Sequence, residues 1–438
     1  STALLLRAAN PPHLGTQTIS VTALDGQTSQ PVQGAIVALS TDGGSLLARR
    51  LTDERGRVLF FREGIGLQRI RVEMIGMASA ETEAFQVDHR STVHRDVTLA
   101  TNPIPIRGLA VDGASRCRVD PAAGEVTARL WDEARKALIA AAIADEQDLY
   151  RYDIMLYEQD LDRTSLVVER SRQTRRHAAM ETPFVSRPVE DLMRYGYVER
   201  SGAVDLYMAP DAHVLLSDAF LGSHCFGFRV GRHGGEAEGL VGLTFEPTSD
   251  RRRFVEVAGT LWLDPSTSEL QWLEYDYVNL DPDLRLPEVG GRVEFQRMPD
   301  GGWIVPEWFI KMPSLGLQRS LDGSSRRTYV RGFRETGGRV LDVQAPGRVI
   351  GHAMAGAMEG VVRDSVGSPM EGVRVELVGT EWTAETDSVG SFSFSPLVDG
   401  VYQVRLAHPT LERFGQSPVE FTRVVVDGET TLVESRVP

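Results

Sequence analysis

The chain has 438 residues, 42% hydrophobic and 25% charged, enough to bury cores in about three domains. A formal net charge of −14 speaks against nucleic acid and against anionic membrane surfaces as partners, because both require clustered positive charge. No run of eighteen apolar residues occurs, so no segment reads as a membrane-spanning helix. Positive charge is nearly all arginine, with Lys136 and Lys311 the two lysines, which reads as coding bias more than as a need for guanidinium groups.

Residues 1–16 read as an N-terminal extension. Ser1 to Leu6 is apolar but lacks the charged region and long apolar stretch of a complete signal peptide, so residue 1 is expected to be a mature end. Residues 17–101 carry Pro31-x-x-Gly34-x-x-Val37-x-Leu39 and then Thr52-Asp53-x-x-Gly56-x-Val58-x-Phe60. Pro and Gly make a turn into a strand, period-two alternation gives that strand one apolar face, and Asp with Gly closes a hairpin. Ile70 to Val72 and Val93 to Leu99 continue the alternation, so about seven short strands predict a sandwich.

Residues 102–349 follow a Pro-rich linker at 101–105. Val126, Leu130, Ala134, Leu138 and Ala142 fall at helical spacing within a predicted long helix, Gly124 to Glu146. Strands are then expected at 150–157, 165–169, 239–245, 255–263, 270–278, 291–295 and 303–311, with a short helix at 188–195. Residues 259–264 and 270–275 flank a Pro-Ser-Thr-Ser turn and predict one hairpin, and the whole reads as one antiparallel sheet curled around one helix.

Residues 350–438 repeat the first module: Pro369-x-x-Gly372-x-x-Val375-x-Leu377, then Thr386-Asp387-x-x-Gly390-x-Phe392-x-Phe394, with Tyr402 to Val404 after Gly400 and a last strand at Val424 to Val426. Parity places Phe392 and Phe394 in the core and Ser393 outside. These residues resemble the carboxypeptidase regulatory-like domain, over roughly 17–100 and 355–438. The resemblance implies a transthyretin-like or immunoglobulin-like sandwich of bacterial envelope proteins and no peptidase activity, since the family is a non-catalytic appendage. The middle segment resembles an uncharacterised bacterial envelope domain and, in strand order, the half-barrel of lipoprotein carriers. In such a carrier Trp262, Trp272, Trp303 and Trp308 would line an apolar cavity, although alternating aromatics on a sheet are more often core.

The fold class is therefore mainly β: two immunoglobulin-like sandwiches flanking an α+β domain made of a curled antiparallel sheet and one long helix. The chain's two cysteines, Cys117 and Cys225, form no Cys-x-x-Cys pattern, and envelope modules imply an oxidising compartment, so a disulfide between them is expected. His233-Gly-Gly-Glu236 with His352 imitates a zinc peptidase set but lies in a Gly-rich loop read as solvated. Ser223-His224-Cys225 places reactive types in sequence, not in a spatial relay. Asp281-Pro-Asp283 reads as a turn before a calcium site. Arg251, Arg252, Arg253, Arg326 and Arg327 are solvated turns or contacts to a partner. No catalytic residue, cofactor site or metal site is assigned.

The expected function is a non-catalytic, periplasmic or otherwise extracytoplasmic scaffold or accessory subunit. It would dock and stabilise a larger envelope or membrane protein complex, electron-transport or photosynthetic assemblies being candidates. It would have no transmembrane segment of its own and would meet the membrane, if at all, through a partner. A binding protein for a lipid or other apolar ligand in the middle domain and a zinc-dependent hydrolase using the His233 loop are the alternatives.

Overall fold

The computed structural model describes residues 17–438 apart from 63–65, 89–91, 105–120, 180–183, 202–203, 320–325, 346–347, 353–355, 410–412, 414–416, 427–428 and 437–438. The predicted extension 1–16, Pro105 of the linker and Cys117 thus lie outside the described residues.

The first module contains β1 (Gln17–Asp25), β2 (Ile36–Thr41), β3 (Leu46–Leu51), β4 (Arg57–Arg62), β5 (Gly66–Glu73), β6 (Ala80–Glu81), β7 (Phe85–Val87) and β8 (Thr92–Leu99). They form one sheet in the order β4-β1-β8 and a second in the order β3-β2-β5, with β6 and β7 pairing β5. The repeated motif acts through its threonine as well as its turn. Buried Thr52 donates its hydroxyl to the Val32 carbonyl at 2.6 Å and accepts from the Ala35 amide at 2.9 Å, tying two chain segments together. Asp53 accepts from the Arg55 and Arg57 amides, as a carboxylate closing a tight turn should. Gly56 has φ +67, and a Cβ there would press within 2.6 Å of the Ala23 carbonyl, so no other residue fits.

The middle segment opens with α1 (Pro121–Glu146), three residues longer at its start than the predicted helix. It continues with β9 (Arg151–Asp162), β10 (Val168–Ala179), α2 (Val189–Tyr195), β11 (Val198–Ser201), β12 (Val204–Tyr207), α3 (Ala212–Leu216), α4 (Asp218–Ser223), β13 (His224–Val230), β14 (Val241–Pro247) and β15 (Glu256–Leu263). The remaining strands are β16 (Leu270–Val278), β17 (Gly290–Glu294), β18 (Gln296–Arg297), β19 (Trp303–Ile304), β20 (Glu307–Arg319), β21 (Arg326–Ala345) and β22 (Arg348–His352). One sheet of ten antiparallel strands runs β10-β9-β21-β20-β17-β16-β15-β14-β13, with β22 beside β21. Helix α1 lies across the face bearing Phe245, Leu261, Leu263 and Leu273, and buries Leu130, Ala134, Ala137, Leu138 and Ala141 in the same core. Alanines on that stripe let the helix axis approach the sheet. Tyr275 has glycines, Gly259 and Gly291, as its partners on both adjoining strands, and a Cβ at Gly291 would collide with the Tyr275 hydroxyl.

Three expectations for this segment need correction. The tryptophans do not share a cavity: Trp262 and Trp272 pair across strands on the face away from α1, whereas Trp303 is buried on β19 beside α1 and Trp308 packs on Phe184 with centroids 5.1 Å apart. Strand β21 carries no predicted element, because its Gly-Phe-Arg-Glu-Thr-Gly-Gly stretch dilutes the apolar alternation with charge and glycine. The short 165–169 strand is in fact the twelve-residue β10, an arginine-rich strand at one end of the sheet; charge on such a strand discourages further pairing.

The last module contains β23 (Gly356–Arg363), β24 (Arg374–Leu377), β25 (Thr383–Glu385), β26 (Ser391–Leu397), β27 (Gly400–Ala407), β28 (Val419–Val425) and β29 (Thr430–Arg436). Its sheets, β26-β23-β29 and β25-β24-β27-β28, repeat those of the first. Thr386 and Asp387 repeat the bonds of Thr52 and Asp53: the Thr386 hydroxyl joins Met370 and Val373, and Asp387 accepts from Val389 and Ser391. Phe392 and Phe394 are buried and Ser393 is exposed, as parity predicts. The last-strand match is corrected: β29, not Val424 to Val426, is the counterpart of β8, since each runs parallel to the first strand of its module. β29, Thr-Thr-Leu-Val-Glu-Ser-Arg, has no period-two alternation of apolar and polar residues, so periodicity points to β28 instead.

Both junctions carry specific contacts. Against the first module, Lys136 of α1 is fully buried and donates to the Met77 carbonyl at 2.8 Å and to Glu133 at 3.0 Å, while Arg135 pairs with Glu73 at 2.7 Å and Arg49 with Glu146 at 2.6 Å. Against the last module, Arg339, 2% exposed, binds Glu307 at 2.6 Å and Asp399 at 3.2 Å. Met155, Tyr157 and Leu341 there pack on Val398.

Candidate functional site

The predicted residues separate rather than converge. Arg251 ends a 3-10 turn (Ser249–Arg251), is nearly buried, and donates through Nε to the fully buried Glu256 at 2.8 Å and through Nη1 to the Met193 carbonyl at 2.6 Å near the end of α2. It is an internal strut, and the reading as a solvated turn or partner contact does not hold for it. Burial pushes the Glu256 carboxyl up while the Arg251 charge opposes the shift. Arg252 and Arg253 are exposed, and the Arg253 guanidinium lies 4.9 Å over the Phe254 ring. Arg326 and Arg327 are not in a turn; they begin β21, opposite Arg319 and Gln318, and their side chains lie outside the described residues.

The zinc-like set is dispersed. His233 is almost fully exposed and contacts Glu238, not Glu236. Glu236 instead pairs with Arg292 at 2.6 Å, and His352 lies on β22, its side chain outside the described residues. Asp281 precedes a 3-10 turn, Pro282–Leu284, that includes Asp283. His224 is buried at the start of β13, stacked on Phe220 with centroids 4.0 Å apart; its Nδ1 lies 3.1 Å from the Phe220 carbonyl and its Nε2 3.2 Å from that of Val257. Burial holds its pKa down at about 4, so it is a neutral packing residue at neutral pH. Cys225, next along β13, is 9% exposed.

Two surfaces that periodicity did not single out carry more chemistry. On the sheet face away from α1, a groove of about 560 Å³ is floored by a cross-strand row of Thr244, Thr260, Glu274, Arg292 and Phe309. Arg229 lies 4.7 Å over Trp262 and pairs with Glu274; Arg292 lies 4.3 Å over Trp272. Lys311 pairs with Glu335 at 2.9 Å. Burial, with the neighbouring Glu274 charge, raises the Asp276 carboxyl. These charges largely neutralise one another across strands, an arrangement that stiffens a sheet face more than it activates a nucleophile.

The second surface is the outer face of the β4-β1-β8 sheet. Leu59 and Phe61 on β4 are 44% and 61% exposed, opposite Ser20 and Thr18 of β1. Motif alignment puts Ser393 and Ser395 at these positions in the last module, both exposed.

Residues 357–434 match the family model of the carboxypeptidase regulatory-like domain, and the last module is such a domain. No curated protein matches the chain. Similar solved structures include the Klebsiella pneumoniae 5-hydroxyisourate hydrolase, 23% identical, covering 20% of this chain and 86% of that one with a TM-score of 0.17. BcpA, the major pilin subunit of Bacillus cereus, is 10% identical over 96% of this chain and 99% of its own, TM-score 0.19. The Bacillus anthracis TIE protein is 8% identical over 97% of this chain and 50% of its own, TM-score 0.18. At these TM-scores the likenesses carry no argument about function. No helix among the described residues is long and apolar enough to cross a membrane.

Proposed function

We propose that the protein is a non-catalytic, extracytoplasmic scaffold or accessory subunit that docks a larger envelope or membrane assembly, and that the outer face of its first sandwich makes the contact. The supporting observation is the pair Leu59 and Phe61, large apolar side chains held in water by a regular strand where the duplicate module carries serines. Neighbouring apolar groups exposed on a rigid face mark interaction surfaces. The dispersal of His233, Glu236 and His224 into separate surroundings supports a role without catalysis. An oxidising compartment is part of the proposal, with Cys117 bonded to Cys225.

The test is purification of the native protein under mild detergent, in parallel with a Leu59→Ser, Phe61→Ser variant. The expected result is loss of the co-purifying assembly with the thermal midpoint unchanged, since neither side chain is in the core. Full retention of the assembly by the variant refutes this docking face.

A further inference from the structure

A cleft of about 360 Å³ separates β10 of the middle sheet from the last sandwich. Its floor is a row of residues on one face of β10, Ser171, Gln173 and Arg175, opposite Gln159, Tyr157 and Met155 of β9. Its walls are mostly apolar, Met155 and Leu341 from the sheet and Trp382 and Pro396 from the sandwich, with Thr380 and Glu381 beside them. Trp382 is braced from behind by Phe394, edge-on with centroids 6.0 Å apart.

Two polar groups on this floor are unpartnered. The Ser171 hydroxyl, on a residue 7% exposed, and the Gln173 amide nitrogen are both buried without a hydrogen-bond partner among the described residues. Leaving such groups bare forfeits their hydrogen bonds to water, which is why buried polar groups in folded proteins are nearly always satisfied. Water alone is a poor answer here. The cleft holds the volume of roughly ten waters, and its walls give them few bonds, whereas small-molecule pockets begin at about 300 Å³.

We propose that this cleft binds a compact aromatic carboxylate with a polar substituent at the far end of its ring. Trp382 supplies a stacking face, with Met155 and Leu341 beside it. The Gln173 amide and the Arg175 guanidinium both donate N–H groups, and they suit a carboxylate directed toward the mouth. Arg175 is half exposed and is oriented by Asp153 at 3.2 Å. Same-face neighbours on a strand are about 6.7 Å apart, close to the span of a para-substituted benzoate, which brings the ring substituent to the Ser171 hydroxyl. Glu381, the carboxylate lining the cleft, is exposed, so the inner part does not repel an anion. Arg170, Arg172 and Arg176 make the strand locally basic within an acidic chain.

The experiment is a calorimetric titration of the full chain with 4-hydroxybenzoate and, separately, with benzoate. Saturable one-to-one binding of 4-hydroxybenzoate is expected, weakened about tenfold or more in Gln173→Met and abolished in Gln173→Glu, which puts a carboxylate where the donor stood. Ser171→Ala is expected to weaken 4-hydroxybenzoate and leave benzoate unchanged, a difference that misfolding would not produce. No saturable binding by the unaltered chain, or equal binding by the Gln173 variants, overturns the proposal.

Discussion

The first and last sandwiches share a motif, a strand order and a set of turn bonds, yet they are attached to the middle sheet by different chemistry. The first is held by ions. Lys136 and Glu133 are buried on α1, with Arg135 reaching Glu73 and the Gly76 amide donating to Glu133 at 2.7 Å. The last is held by apolar surface around one arginine, Arg339, with Tyr402 donating to the Val398 carbonyl at 2.8 Å and accepting from Gln159 at 3.2 Å. A duplicated module thus keeps the residues that make its turns and is free to change those that face its neighbours. The outward faces diverge in the same way, Leu59 and Phe61 against Ser393 and Ser395.

The largest expected effect concerns the segment between the sandwiches. If Cys117 and Cys225 are bonded, removing the bond should cost about 4 to 5 kcal/mol in the chain-entropy picture of a long loop. Mass mapping without reductant checks it directly, and two free thiols there would also remove the support for an oxidising compartment.

The attachment chemistry is tested by paired substitutions. Arg339→Met removes the cation from the largely buried Glu307 and should cost about 3 to 5 kcal/mol in denaturant melts, the penalty for leaving a buried partner charge uncompensated; Lys136→Met leaves Glu133 paired with Arg129 and the Gly76 amide and should cost less, about 1 to 3 kcal/mol. Limited proteolysis should release the last sandwich from the first variant and the first sandwich from the second. Release of the same fragment from both would mean that the two junctions are not independent.

Within a sandwich, register is the sharper question. Phe394, 2% exposed, should cost about 3 to 5 kcal/mol as Ala, and Ser393→Ala should fall within about 0.5 kcal/mol. Phe60→Ala in the first module should match Phe394→Ala, because both rings occupy the same step of the repeat. A large difference between the two phenylalanines would show that the copies have diverged in their cores as well as at their faces.

The middle domain adds a pH signature of its own. His224 is neutral in the folded protein, with a pKa near 4 against 6.5 when unfolded, so below pH 6.5 the unfolded chain binds the proton that the folded one refuses. The stabilisation is fully present above pH 6.5, is lost as pH falls toward 4, and amounts to about 3 kcal/mol. His224→Phe should flatten that part of the stability profile, measured by denaturant midpoints from pH 7 to pH 4. An unchanged slope would mean that another group titrates there.

The two sandwiches, the long helix and the hairpin of Gly259 to Tyr275 are legible from the residues alone, because their signals are local. A Pro, a Gly with positive φ, a turn aspartate and period-two or 3.6-residue alternation act within a few residues of one another. The parity of Phe392, Ser393 and Phe394 belongs to the same class.

Contacts between residues far apart in the chain come from the assembled fold. Nothing near Arg251 in sequence announces that it braces Glu256 against α2, and nothing near Lys136 announces Met77. Strand β21 is polar along much of its length because its neighbours β9 and β20 supply both hydrogen bonds and countercharge. Likewise Ser171 and Gln173 look like ordinary polar positions on an arginine-rich strand until the last sandwich closes over them. Burial of a charge or a hydroxyl is set by what packs on top of it, and that is a property of the assembled fold.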